Sequence, residues 1–495
     1  MLNRRQFVRR AAAASAAVAV PMVAPGRVLG ANEELRVGVV GCGIRGRHHI
    51  DRFARQRGVR VTAVCDPDRS RKTAEAGRVK QQYGNDPAQF IDPRKMIEAG
   101  NLDVVAVATM QYWHALPTIW ACQAGMDVYV EKPLASFIEE GRRMVEAARQ
   151  YERLVQIGTQ YRTIRSAIDT IRFLREGGLG KIEYITAFAN KPRTSIGFRD
   201  EPLPIADAVD YDLWCGPADD GPIFRNRLQY DCSFTWDKGD GESCNQGVHE
   251  IDVARWLLGE PGLPRRVISI GGRFVFNDAG DVPNTQIIYY DYPSAPILYE
   301  VHNLRAAKGS NEVPTFRGHR TDLCAHCEGG YAMVRSGQVF DHDGNRIRTF
   351  SGGERIFENF IDAVRSGRRE DLAADVLDGH ISTAVTHVGN ISYRVGKQAN
   401  QAECRERIAG VKRFEDMFGR MVDHLKAHEI DVDQRTLTLG EWLEVDTENE
   451  CIRDHADANA LVRGLRRQPP PQPGGAEPRW REGHRAPYVL PDVAG

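Results

Sequence analysis

Neither sign of charge prevails in this sequence: 66 Lys and Arg stand against 67 Asp and Glu, a formal net charge of −1. No global field draws such a chain to nucleic acid or to an anionic membrane, and no basic stripe with interleaved aromatics is present. No nucleic-acid partner is therefore expected. No stretch reaches the ~20 unbroken apolar residues that a spanning helix needs, so no stable membrane anchor is expected either. Cysteine is sparse, with 10 scattered over 495 residues. A disulfide framework belongs to short, cysteine-dense chains, and this chain is neither. The one suggestive spacing, Cys324-Ala-His-Cys327, lacks the second pair that a four-ligand zinc site requires. It is read as packing, and no metal is expected.

What is present is enough apolar residue, 42% of the chain, to build real cores, and enough length for two or three domains. Residues 1–31 have a basic head around Arg4, Arg5 and Phe7, then an alanine-rich run, then small residues before Ala31. That is the tripartite plan of an export signal. The Arg4-Arg5 pair with Phe7 resembles a twin-arginine signal, which carries proteins that are already folded. A periplasmic or otherwise exported protein is expected.

Residues 35–155 read as a doubly wound domain. "LRVGVVG" is the β-branched, apolar run of a buried parallel strand, and it enters Gly41-x-Gly43-x-x-Gly46. In such a turn the first glycine makes the bend, the second lets backbone approach a pyrophosphate, and the third lets the helix sit close to the strand. The helix N-terminus, with Ile44 and Arg45 at its mouth, then faces the phosphates with unpaired N–H groups. A second strand ends in Asp66, twenty residues after Gly46, where an acid bonds a ribose hydroxyl. Further strands follow at 102–109 and 126–133, separated by helical stretches. Asp66 favours NAD, since a carboxylate repels a 2′-phosphate, while Arg69 is close enough in sequence to accept one and keeps NADP open. A protein that folds before export can carry such a cofactor with it.

At Glu131-Lys132-Pro133, taken with Gly41–Gly46, "VCDPD" and "ATMQYWHA", the chain resembles the glucose–fructose oxidoreductase, inositol dehydrogenase and rhizopine-catabolism (Gfo/Idh/MocA) family. The likeness continues through "GTQYRT", "DLWCGPA", "NQGVHEIDVARW" and "NFIDAVRSGRR" to the closing "HRAPYVLP", and the export signal places it with the large exported bacterial branch. The resemblance implies an α/β architecture: the dinucleotide domain, then an α/β domain with a large, mostly antiparallel sheet over 156–395 for substrate and oligomerisation. It implies a homo-oligomer, dimer or tetramer, joined through an exposed sheet face. Residues 396–495 read as a less regular extension with a Pro-rich arm, "RRQPPPQPGGAEPRWR".

Oxidising a carbinol on NAD requires a group that takes the hydroxyl proton and a donor that stabilises the alkoxide. Lys132 follows a strand of the dinucleotide sheet, where ligands bind in this class of fold, and the resemblance implies contact with both substrate hydroxyl and nicotinamide ribose. His249 has an ordinary pKa of about 6.5, suited to proton transfer near neutrality, and the resemblance makes it the base or the base's partner. Lys132 and His249 are the expected catalytic pair. Asp252, three residues on, reads as an orienting group. Dehydrogenases of the family usually carry Asp four residues before that His, whereas this chain has Asn245, which can orient a hydroxyl but cannot take a proton. Asp240 or Glu242 could substitute. Thr109, His114 and Glu131 are expected beside the cofactor, and Gln160, Arg162, Trp236 and Asn245 around the substrate, where aromatic faces and directed donors suit a polyhydroxylated ring. Three functions stay open: a sugar or polyol oxidoreductase, a glycosidase or lyase in which NAD oxidises a ring hydroxyl only transiently, and a sugar-binding protein with a structural nucleotide.

Overall fold

The computed structural model describes residues 34–467, 480–481, 483–491 and 493. The export-signal reading of 1–31 and most of the Pro-rich arm lie outside the described residues. Strands β1 (Leu35–Val40), β2 (Val59–Cys65), β3 (Ala88–Phe90), β4 (Val104–Val107), β5 (Asp127–Val130) and β6 (Val155–Ile157) form a parallel sheet in the order β3-β2-β1-β4-β5-β6. Valine-rich runs such as β4 are buried at every position, as strands covered on both faces must be. The winding reverses between β1 and β4, and a crevice opens there beyond the strand ends. Helix α1 (Ile44–Ala54) starts at that crevice. A later helix, Ile356–Ser366, returns to this domain and buries Phe357 against Tyr129, with ring centroids 4.8 Å apart.

The second sheet is mostly antiparallel. Its long strands are β7 (Ile182–Asn190), β8 (Arg266–Gly272), β9 (Thr285–Asp291), β10 (Ile297–His302) and β11 (Thr321–Cys327), and only the β7–β10 pair is parallel. Period-two alternation sends side chains to opposite faces. Val267, Ile288 and Tyr299 pack with α2 (Gly247–Leu258) and α3 (Val376–Val395). Ile268, Ile287 and Leu298 point the other way, onto α4 (Lys412–Ala427). Helix α4 buries Phe414, Met417, Phe418, Met421, Val422 and Leu425, the spacing of an amphipathic stripe. Residues 396–439 are thus ordered helix and strand, more regular than the sequence suggested. Over β8–β10 the outer sheet face is covered by the chain's own helix. Cys324 and Cys327, three apart on β11, join different core clusters on its two faces, so they do not form a pair.

The closing segment also docks. Tyr488 packs edge-on against Trp113, its hydroxyl donates to Asp212 Oδ2 at 2.5 Å, and Arg485 donates to the Asp212 and Ala218 carbonyls.

Beneath α4, His302, His424 and His428 stack in series, with centroids 4.5 and 5.1 Å apart. Burial, then the Arg420 charge, lowers His302 to about 4; burial, then its two histidine neighbours, lowers His424 to about 3. Because these folded values lie below the unfolded ~6.5, the unfolded chain takes up protons first as pH falls. Stability therefore declines from about pH 6.5 down to about 4, by roughly 3 kcal/mol for the fully buried His302. Thermal midpoints at pH 7 and 5 check this: His302→Phe, which keeps a stacking ring and cannot titrate, should shrink the difference.

Candidate active site

Three glycines shape the crevice for different reasons. Gly41 has φ +89, and a Cβ there would meet the Ala108 carbonyl oxygen at 2.7 Å. A Cβ at Gly46 would lie 1.7 Å from the Gly41 oxygen, so helix and turn touch only through glycine. Gly43 is different: a Cβ would meet only Arg71 Nη1, at 3.5 Å. The chain's own packing does not need glycine at that position, and the open space beside it is what a pyrophosphate would occupy. Helix α1 has no side-chain cap, which leaves its first N–H groups for an anion. Ile44, 89% exposed, stands unpacked at the same mouth. The Thr109 hydroxyl is buried with no partner. These features fit a dinucleotide.

Asp66 accepts the Cys42 and Asp68 backbone N–H groups at 2.7 and 2.8 Å, which ties the glycine turn to the end of β2. A carboxylate has about four acceptor sites, so a ribose hydroxyl can still bind. Burial pushes its pKa up. Arg69 donates to the Asp207 carbonyl at 3.3 Å; it is Arg71, paired with Asp68 at 3.2 Å, that lies beside Gly43. His114 is buried between the Pro133 and Thr109 carbonyls, at 2.7 and 3.2 Å, and burial lowers its pKa.

Glu131 and Lys132 continue from β5 toward the second domain. Burial alone would raise Glu131, but Arg45 at 2.6 Å and His49 at 2.8 Å, with the Lys132 charge, hold it well below the usual carboxylate range. Lys132 Nζ donates to the Asn245 carbonyl at 2.6 Å and to Asn245 Oδ1 at 3.1 Å. Burial lowers the ammonium pKa, against the pull of Glu131 and Glu242. The chain after Lys132 is pinned to α3: Leu134 N donates to Thr383 at 3.0 Å and His387 Nε2 to the Ala135 carbonyl at 2.9 Å. His249 lies in the first turn of α2, stacked on Tyr161 at 4.7 Å, with Nδ1 buried and unpartnered. Burial, then the Lys132 charge, holds it well below its ordinary value, so the ring is neutral.

The remaining expected residues divide. Gln160 sits next to Tyr161 with a buried, unpartnered Oε1. Asn245 touches Lys132 directly. Arg162 is not open to a ligand: it grips Asp252 at 2.8 and 2.9 Å and Asp378 at 3.1 Å. Asp252 also accepts from Ser382 at 2.7 Å, so the pair clamps α2 to α3. Trp236 rests against Tyr393 and under Arg394, 6.3 and 4.9 Å away. Glu242 does not stand free as a base, because Arg193 holds it at 2.8–3.0 Å. Sequence reasoning missed Tyr161, Lys191, Arg193 and Gln246, which bind one another and the 242–250 segment. It also missed Glu250, buried with one oxygen unpartnered and raised to about 8 by burial. Tyr161, Gln246 and Glu250 lie within "GTQYRT" and "NQGVHEIDVARW" but their residue types did not single them out, and no motif marked Lys191 or Arg193.

The contrast between the glycines is testable. Gly43→Ala should leave the thermal midpoint within about 1 °C while weakening NAD binding at least tenfold, as read by calorimetric titration of nucleotide-free protein. Gly46→Ala, by contrast, should fail to fold normally.

Residues 35–159 match the model of an oxidoreductase family, Gfo/Idh/MocA, described as having an NAD-binding Rossmann fold. Inositol 2-dehydrogenase 4 of Saccharopolyspora erythraea is 31% identical over 232 residues, 46% of this chain and 55% of that protein. Glycosyl hydrolase family 109 protein 2 of Shewanella sp. (strain ANA-3) is 32% identical over 162 residues, 32% of this chain and 35% of that protein. The chain therefore spans about half or less of the length of these curated relatives. The WlbA dehydrogenase of Bordetella pertussis, solved with NADH and UDP-GlcNAcA, has the same fold: TM-score 0.52 at 19% identity, over 72% of this chain and 95% of that one. In sequence as in strand order, residues 35–159 match the NAD-binding Rossmann fold of the Gfo/Idh/MocA oxidoreductase family.

Proposed function

We propose that the protein is an exported NAD-dependent oxidoreductase acting on a CH–OH group of a sugar, polyol or sugar derivative, with a tightly held cofactor. The observation that carries this reading is that the half-buried Lys132 reaches Asn245, four residues before His249, and that its charge, after burial, helps hold the His249 ring neutral. Binding alone needs no proton-transfer group, which counts against a purely structural nucleotide.

Bound NAD supplies the hydride acceptor. Gly43 and the N-terminus of α1 would hold its phosphates, and Asp66 its ribose. Lys132 Nζ, already oriented by the two Asn245 oxygens, turns a proton toward the substrate hydroxyl oxygen and stabilises the alkoxide as it forms. The neutral His249 ring accepts the hydroxyl proton, and its lowered pKa keeps it ready over the whole neutral range. Asn245 fixes the ammonium but takes no proton. Proton transfer therefore falls to His249, with Lys132 stabilising the alkoxide.

A second reading is favoured by that same Asn245 and by the names of the Shewanella relatives: a redox-neutral cleavage, in which oxidation of a ring hydroxyl acidifies the neighbouring C–H, a glycosidic oxygen leaves, and the electrons return to the sugar. Product analysis separates the two. Paired oxidised and reduced carbohydrates support the first reading, a cleaved glycoside with no net oxidation the second. The sequence of 1–31 supports export, where no free pool replaces a lost nucleotide. Protein purified from the exported fraction and then denatured should release about one NAD(H) per chain; protein empty of nucleotide would contradict tight binding.

Lys132→Met and His249→Asn should each lower kcat/KM by about 10²- to 10⁴-fold while retaining bound nucleotide, checked by steady-state kinetics alongside nucleotide content. Asn245→Asp should keep or raise activity, because it restores an acceptor beside Lys132; a loss as large as that of Lys132→Met would show that a neutral amide is required there.

A further inference from the structure

We propose that Asp240, Cys244 and His387 form a binding site for one divalent metal ion of the zinc class. Their ligand atoms all lie within 4.8 Å of one another, and all three residues are buried. Asp240 immediately precedes the short helix Gly241–Asn245, without a side-chain capping bond, and Cys244 lies four residues on, so the turn brings carboxylate and thiol to one side. His387 reaches them from the middle of α3.

The surroundings are arranged as an outer shell. A ligating imidazole normally donates its second N–H to a carbonyl or carboxylate, which fixes the tautomer. His387 Nε2 donates to the Ala135 carbonyl at 2.9 Å, which leaves the Nδ1 lone pair facing Cys244 Sγ at 3.9 Å. Asn390 Nδ2 donates to that sulfur at 3.5 Å, and the Gln111 amide donates to the Asp240 carboxylate. Each of the three ligands thus has its own second contact, contributed by three separate parts of the chain.

Charge and ligand type choose the ion. A thiolate, a carboxylate and a neutral imidazole carry two negative charges, which a divalent cation cancels. Neutrality is what a buried site requires. Thiolate with imidazole suits zinc and disfavours magnesium and calcium, which take oxygen ligands. Without an ion the thiol keeps its proton and donates to Thr386 Oγ1 at 3.1 Å; on binding, that proton passes to solvent and the sulfur–metal bond replaces it. Three protein ligands leave a fourth position. A cleft lined by Ser136, Asp240, His387, Asn390 and Arg394 adjoins two of the ligands and offers the approach for a water or another oxygen donor. The ion would tie the helix carrying Asn245 to α3 and to the segment after Lys132, next to the residues assigned to chemistry yet independent of what they do.

The full chain, purified without a metal-affinity step, should contain about one zinc per chain by elemental mass spectrometry. After removal by chelator, cobalt(II) should restore occupancy with a thiolate-to-cobalt charge-transfer band. Cys244→Ser should abolish the band, His387→Gln should weaken cobalt affinity at least tenfold, and Cys327→Ser should change neither. Wild-type protein that shows no such band overturns the proposal, as does a band that survives in Cys244→Ser. The wild-type spectrum decides by itself, so a variant that fails to fold leaves the test intact.

Discussion

One buried carboxylate organises the crevice. Glu131 follows β5, a strand paired on both sides, out of water, and stays ionised because Arg45, His49 and the Lys132 backbone converge on it. Removing one partner of such a buried arrangement typically costs ~3–5 kcal/mol, since the charge left behind has no water to turn to. Through Arg45 the carboxylate fixes the first turn of the helix that faces the phosphates. Through its neighbour Lys132 it fixes the contact with Asn245, where the first domain meets the second. The glycine turn and Lys132 are therefore positioned by the same group.

The residues that the sequence revealed are those whose role is local. A bend at positive φ, a helix pressed against a turn and an acid at a strand end each need particular residue types within a few positions, so Gly41, Gly43, Gly46 and Asp66 could be read directly. Lys132 and His249 were legible because they follow a strand end and open a helix. Arg162 was misjudged because its partners, Asp252 and Asp378, lie 90 or more residues away; spacing cannot show that a guanidinium is already claimed. The neighbours of Trp236, Tyr393 and Arg394, are likewise too distant in sequence for spacing to show. Asp240, Cys244 and His387 meet only in the fold. The helix at 412–427 was legible in principle from Phe414, Met417, Phe418 and Met421, but the Pro-rich stretch downstream drew the whole extension toward irregular structure.

Asn245 puts an amide beside Lys132, where a carboxylate would have offered a second proton acceptor. An acid there would share the proton with His249 and add a negative charge beside Lys132. The amide instead holds the ammonium through two neutral oxygens and leaves its charge to be balanced by Glu131 and Glu242, the latter already shared with Arg193. In the proposed mechanism such a Lys132 is better suited to stabilising an alkoxide than to relaying its proton, which is why the proton is assigned to the stacked, neutral His249.

The most direct measurement is isotope transfer in a single turnover. Nucleotide-loaded protein would be mixed with carbohydrates deuterated at their carbinol carbons, and the nucleotide would be extracted and weighed by mass spectrometry. Reduced nicotinamide carrying one deuterium is the predicted result, because in the proposed reaction hydride leaves the carbinol carbon while His249 takes the hydroxyl proton. Carbohydrate consumed while the bound nucleotide stays oxidised and never acquires label would contradict the account at its centre.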